Sequence, residues 1–423
     1  MEVGYKEALG VPVVFPRQTA TALNRLETQN WDLIAALAHL DDNRAVENLR
    51  DQLRKMSGRT HIFFAPSARC AIARILTALP ETEVVVPAWT CSAVKRAVEV
   101  AGKRIVCVDI DKRSLNATSA QFLRAIRPGR VLIPTHLFGI PTDIVRICDV
   151  AREYGCPTIE DAAGAYPAQL EDRLLGTFGD VGIISFERSK RVPAFRGAAI
   201  IVNNEAAVDI SKLQEQNDGA VTTPVRELLF GFAHNLGSIP WLYGRFTVPQ
   251  MLKKYGTESD AQGRTTLPTK DDPFFTRELH SYQAALVSRV LGRICSIREH
   301  IARLVEAYEQ AFRGTQIRTF VVPGCDKAGL LRFPIVIEGR KRSEILRAAL
   351  QRGLFLETNY ERTLANDHET EMYPNSAWAA RNVLLLPLYA RLPVEAAIKI
   401  ASEMVGIERA TRTTTEVLQP IRA

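Results

Sequence analysis

The chain has 423 residues, 46% of them hydrophobic and 24% charged, an ordinary globular composition with length for a large core and a smaller second domain. Its 54 Lys and Arg exceed 47 Asp and Glu, and the formal net charge of +7 fits either a solvated basic surface or a pocket tuned for phosphate groups. There is no dense Lys/Arg run with interleaved aromatics, no apolar run of membrane length and no charged-then-apolar start, so neither nucleic acid nor membrane is expected as a partner, and a cytoplasmic location is.

The first sixty residues read as mostly polar helix, with Phe15-Pro16 and Thr19 as turn signals, and form an N-terminal segment 1–60. From about Thr60 to Asn203 short Val/Ile-rich runs alternate with helical stretches. Glu83 to Pro87, Arg104 to Asp109 and Arg130 to Pro134 read as strands, each followed by a helix: Cys91 to Ala101, Ser119 to Ile126 and Asp143 to Tyr154. Strands at 156–161, 181–186 and 197–202 complete the series. Continuous apolar strands alternating with helices predict a parallel sheet buried on both faces. Residues 61–278 are expected to form this large domain, with 204–275 as an insertion ending in a mobile polar loop from Lys253 to Asp272. Leu279 to Phe312 reads as one long helix, apolar at three- and four-residue spacing. A strand at 330–337, a helix at 342–351, a strand at 383–387 and a helix at 394–405 then predict a small α/β domain, so that 279–423 is a linking helix plus a second domain.

Seven cysteines, at 70, 91, 107, 148, 156, 295 and 325, show no CxxC pair, which argues against both a zinc site and a disulfide framework. The chemistry-bearing feature is a pair of strand ends. Cys156 to Asp161 ends in an acid, and Val181 to Phe186 leads through a polar turn to Lys190. Ligands of parallel sheets sit beyond the carboxyl ends of the strands. A carboxylate and an amine delivered there suit pyridoxal 5'-phosphate (PLP): the amine forms a Schiff base with the cofactor aldehyde, and the carboxylate keeps the pyridine nitrogen protonated.

Four further segments extend this reading: Thr135-His-Leu-Phe-Gly-Ile-Pro141, Glu160-Asp-Ala-Ala163, Gly176-Thr-Phe-Gly-Asp-Val-Gly182 and Ser185-Phe-Glu-Arg-Ser-Lys190. In order and spacing the chain resembles the DegT/DnrJ/StrS family of PLP-dependent sugar aminotransferases, from about Val11 to Ile407. The resemblance implies the type I PLP fold: a mainly parallel seven-stranded sheet with a smaller C-terminal α/β domain, in a homodimer with shared active sites. It implies Lys190 as the Schiff-base lysine, Asp161 as the pyridine-nitrogen partner and Ser185 as a phosphate-binding hydroxyl. The phosphate cradle is expected at the helix that starts at Ala68, since a helix N-terminus favours an anion. Ala68 and Arg69 stand there where relatives carry Gly and a hydroxyl, and an arginine can hold phosphate bidentately. Cys91 stands where relatives place the aromatic that stacks on the cofactor ring. Neighbouring Trp89 reads equally as a platform or as core. His136 reads as structural.

Other departures bear on substrate. Gly164 replaces a Gln or His near the cofactor, Arg191 to Gly197 replaces a Gly-rich run containing Glu, and an Asn-Tyr-Arg signature is missing, with Thr276 or Arg277 as substitutes. The leading function is a PLP aminotransferase that takes an amino group from an amino-acid donor, Glu or Gln, to a keto-sugar, cyclitol or related carbonyl acceptor. The alternatives are dehydration, elimination or condensation on the same scaffold, and, from another class, a non-catalytic PLP-binding regulatory protein.

Overall fold

Most strands of the first two hundred residues feed two separate cores, as alternation of side chains requires. In a computed structural model, which describes residues 26–40, 42–214, 224–247, 279–321, 324–365 and 370–416, the strands are β1 (Ile62–Ala65), β2 (Glu83–Pro87), β3 (Arg104–Val108), β4 (Arg130–Leu132) and β5 (Ile159–Asp161). A small hairpin follows, β6 (Gln169–Leu170) and β7 (Arg173–Leu174), and then β8 (Val181–Ser185) and β9 (Ala198–Val202). Val84, Val86, Ile183 and Ile200 enter one core with the helices Ala68–Ala78 and Ser92–Val100. Val85 enters a second core with the helices Ser119–Ala125 and Ile144–Glu153, and Ile184 and Ile201 enter a third with Ser281–Leu291. This is the sheet covered on both faces that the apolar runs predict.

The strands form a four-stranded group, β1-β9-β8-β5, and a three-stranded group, β3-β2-β4. Parallel bridges from Leu132 to Thr158 and from Thr135 to Asp161 join them into one seven-stranded sheet. Only β9 runs against its neighbours. A separate antiparallel sheet, β10 (Ile317–Thr319), β11 (Phe333–Ile337) and β12 (Leu384–Leu386), packs with the helices Arg342–Gln351, Pro374–Asn382 and Val394–Glu416.

One expectation changes. The single helix over 279–312 is two helices, Ser281–Leu291 and Ile294–Phe312. Arg293 leaves the helical conformation (φ −120°, ψ 17°), because its guanidinium is drawn to Asp32, at 3.0 and 2.5 Å, and to the carbonyl of Glu27 at 2.7 Å. The apolar face of this helix pair is also spent inside the chain: Tyr282, Leu286, Val287, Ile301, Leu304 and Tyr308 are wholly buried. Within 204–275 the described part holds the helix Pro224–Gly237 and short helical turns to Thr247, while the polar loop Lys253 to Asp272 lies outside the described residues, as do Phe15 to Thr19. None of the described helices is long and apolar enough to cross a membrane.

Candidate active site

Parallel strands bring their carboxyl ends to one edge of the sheet, and those of β5, β8 and β1 meet the start of the antiparallel β9 here. Asp161 at the end of β5 lies opposite Ile183 of β8. Two residues further on, Ser185 ends β8, and its Oγ accepts from the Glu187 amide at 3.3 Å. The Glu187–Lys190 turn closes with the Lys190 amide on the Glu187 carbonyl at 2.9 Å. Gly197, entering β9, bonds to Phe186 and to Pro66 and pairs with Ser67, the residue that caps the helix Ala68–Ala78. Asp161, the Ser185–Lys190 turn and the start of that helix are therefore successive stations along one edge. The cap is local chemistry: the Ser67 hydroxyl accepts from the Cys70 amide at 3.3 Å.

Asp161 is buried, 5% exposed. Burial pushes its carboxyl above the usual carboxylate range, opposed by the Ala163 amide, which donates to Oδ1 at 3.0 Å, and then by the positive charge of Lys190. Lys190 is half-buried and within electrostatic reach of that acid. Once ionised, an enclosed carboxylate holds a neighbouring N–H cation strongly, because little solvent screens the pair.

Two buried hydroxyls border this place without a protein partner: Thr135, which pairs with Asp161 across the β4–β5 bridge, and Thr90, next to Cys91. Orphaned buried hydroxyls are rare and point to a ligand that satisfies them. The donor set fits PLP: an acid for the ring nitrogen, an amine for the aldehyde, and Ser185 with the N-terminal turn at Ala68 and Arg69 for the phosphate. Ala68 and Arg69 are the first two residues of their helix, and both are half-buried. Gly164 sits in the turn after Asp161, where a β-carbon would lie 3.3 Å from the His136 carbonyl oxygen, so a larger residue there is tightly constrained.

Trp89 is corrected from a possible ring platform to a core residue. It is 0% exposed, and its Nε1 donates to the Tyr360 carbonyl at 2.8 Å, which leaves neither ring face open to a ligand. Cys91 is half-buried, at the N-cap of Ser92–Val100. Thr276 and Arg277 lie outside the described residues. Arg196 turns outward to pair with Glu227 at 3.0 Å. Arg191, next to Lys190, is buried against Glu27 at 2.6 Å and the Leu330 carbonyl at 2.7 Å, so the lysine turn is tied to both ends of the chain.

The sequence profile of the DegT/DnrJ/EryC1/StrS aminotransferase family matches residues 27–405. The chain belongs to this family. A UDP-N-acetyl-3-dehydro-alpha-D-glucosamine 3-aminotransferase from Acidithiobacillus ferrooxidans is 34% identical over 185 residues, 43% of this chain and 50% of that protein. The chain thus matches about half the length of that curated relative. Among solved structures, DesI in the presence of its TDP-sugar product superposes with a TM-score of 0.68 at 19% identity, covering 98% of this chain and 99% of DesI. Spr1654 from Streptococcus pneumoniae in its PLP-form gives 0.68 at 17% identity, covering 94% and 99%. At such identity these likenesses establish the fold, which is fold type I of the PLP aminotransferases, with the seven-stranded sheet and the additional C-terminal sheet described above.

Four residues of the candidate site were not assigned a role from sequence. Thr135 bridges to Asp161, Phe138 and Tyr360 pack against each other and Trp89, and Glu160 precedes Asp161 in β5. Thr135, Phe138 and Glu160 sit within quoted motifs, so a signal existed. Tyr360 lies far along the chain in a segment without one.

Proposed function

We propose that the protein is a PLP-dependent aminotransferase that moves an amino group from an amino-acid donor, Glu or Gln being the expected ones, to a carbonyl on a sugar-like acceptor. The observation that carries this reading is the convergence of buried Asp161 and Lys190 at neighbouring strand ends. Bound there, PLP supplies an aldehyde that takes an amine and a ring that accepts electrons. Asp161 holds a proton on the ring nitrogen. The Lys190 amine would hold the aldehyde and would be placed to take a proton from the substrate carbon. Ser185 and the helix N-terminus at Ala68–Arg69 bind the phosphate, and the enclosure of Asp161 keeps water from competing for its proton.

Family membership supports transamination. The names of two relatives, one for a UDP-linked keto-sugar and one solved with a TDP-sugar product, support a nucleotide-linked sugar as the acceptor. A homodimer belongs to this reading. Its support is an exposed apolar patch on two helices in contact, Trp31 and Ile34 of Asn30–Ala36 with Val225, Leu229 and Leu236 of Pro224–Gly237.

The test is to load the protein with PLP, scan amino donors, and follow the cofactor by mass spectrometry. Glutamate or glutamine should convert it to the pyridoxamine form, and a keto-sugar nucleotide should convert it back with an aminated product. Loss of water or of a leaving group from the substrate, without an amino product, would favour the elimination chemistry instead. A cofactor that no donor converts would favour a binding protein.

A further inference from the structure

Tyr360 comes from the C-terminal half of the chain and lodges among residues of the sheet edge. Its carbonyl accepts the Trp89 Nε1 hydrogen at 2.8 Å. Its ring lies 6.1 Å from that of Phe138 with 20° between the planes, and 6.1 Å from Trp89 edge-on. The Cys91 and Asp161 side chains are within electrostatic reach of its hydroxyl. The segment around it is tied down. The Leu364 amide donates to the Ala88 carbonyl at 2.7 Å, Lys95 Nζ to the Leu364 carbonyl at 3.2 Å, and Arg332 Nε to Glu357 at 2.6 Å.

We propose that Tyr360 is a positioning residue of the cofactor site: braced by Phe138 and Trp89, its ring walls the Asp161 side, and its hydroxyl fixes Cys91 against that wall. This rests on the reading of Asp161 and Lys190 as a PLP site. A flat heteroaromatic ring is best held by flat apolar neighbours. Trp89 is enclosed and cannot serve, whereas Tyr360 is only partly covered and stands beside Cys91. Burial, and then the neighbouring Cys91 and Asp161, hold the phenol well above its usual value of 10.0, so Tyr360 stays neutral and adds no second anion next to Asp161.

Wild type, Tyr360→Phe and Tyr360→Leu decide the matter, with circular dichroism as the fold control. PLP affinity is read by visible absorbance on titrating PLP into cofactor-free protein. Alkylation of Cys91 by N-ethylmaleimide, mapped by mass spectrometry in cofactor-free protein, reads the Tyr360–Cys91 contact without any cofactor. Tyr360→Phe should hold PLP within about twofold of wild type and alkylate about fivefold faster at Cys91, the equivalent of one hydrogen bond. Tyr360→Leu should also bind PLP about tenfold more weakly, the equivalent of one aromatic contact. Wild-type alkylation rates in Tyr360→Phe, or PLP binding by folded Tyr360→Leu as tight as or tighter than wild type, would overturn the proposal. If Tyr360→Leu does not fold, the alkylation rate of Tyr360→Phe decides. If wild type takes up no PLP, the cofactor reading falls and this proposal with it. Normal uptake by wild type with unchanged variants overturns this proposal alone.

Discussion

His136 and Glu160 face each other in the interior, Nε2 to Oε1 at 3.0 Å, both side chains wholly buried. The Thr142 amide donates to His136 Nδ1 at 3.0 Å, so the ring hydrogen sits on Nε2 and points at the carboxylate. Glu160 also accepts from the amides of Gly176, Phe178 and Gly179 at 2.6, 2.7 and 2.9 Å. The 176–182 turn thus wraps a buried carboxylate one residue before Asp161. Gly182 has to lack a side chain, because a β-carbon there would lie 1.7 Å from the Gly176 carbonyl oxygen.

Glu160→Gln should therefore act on stability. It replaces an acceptor of four hydrogen bonds with a group that turns donors toward donors, and breaking a buried charged network of this kind costs about 3–5 kcal/mol. Urea denaturation measures the loss. Folded variant should still be labelled by PLP and borohydride at Lys190. A stability within about 0.5 kcal/mol of wild type would mean that the network is not holding the turn.

Asp161→Asn should separate stability from chemistry. Burial raises the Asp161 carboxyl above its usual 3.8, so the folded chain keeps a proton that the unfolded chain has already lost. The stability contributed by that proton is complete below the unfolded value and is lost as pH rises through the raised folded value. Cofactor-free Asp161→Asn carries no such loss. Its stability should fall less as pH rises above the unfolded value, and at neutral pH it should equal or exceed wild type. Turnover should drop far more than PLP occupancy, because the ring nitrogen loses the anion that keeps it protonated. Near wild-type turnover would make Asp161 a structural turn acid.

Lys190 and Arg69 are tested by labelling and titration. Borohydride should fix PLP to the peptide containing Lys190 and not to Lys190→Ala. Arg69→Ala should bind PLP about ten- to a hundredfold more weakly, the loss of one charge-assisted contact, while trapping at Lys190 persists at high PLP. An unchanged PLP affinity with a raised KM would assign Arg69 to an anionic substrate. No change in either would leave it a surface residue of the helix.

The dimer should depend on the patch rather than on the helix pair 281–312, whose apolar face is already covered. Leu229 is 63% exposed and Trp31 72%. Leu229→Asp, alone or with Trp31→Asp, should shift light scattering from dimer toward monomer with circular dichroism unchanged. A variant that stays fully dimeric would place the interface elsewhere, and a wild type that is monomeric and active would refute the dimer.

What the sequence determined by itself is what short-range chemistry controls. The strands and helices from Glu83 to Glu153, and the strands β8 and β9, follow from continuous apolar runs, near-four-residue apolar periods and polar turns, whereas β1 and the hairpin β6–β7 are not among the elements read from sequence. The convergence of Asp161 and Lys190 follows from the rule that parallel strands present their carboxyl ends together. Tertiary structure alone decided the rest. The choice of core over platform for Trp89 rests on a bond to Tyr360 across 271 positions, and the burial of Arg191 on Glu27 across 164. The break at Arg293 rests on Asp32, 261 positions away. No local pattern encodes such partners. Each exists because compact packing brings distant segments together, and an enclosed indole or guanidinium must then bond to whatever carbonyl or carboxylate the packing supplies.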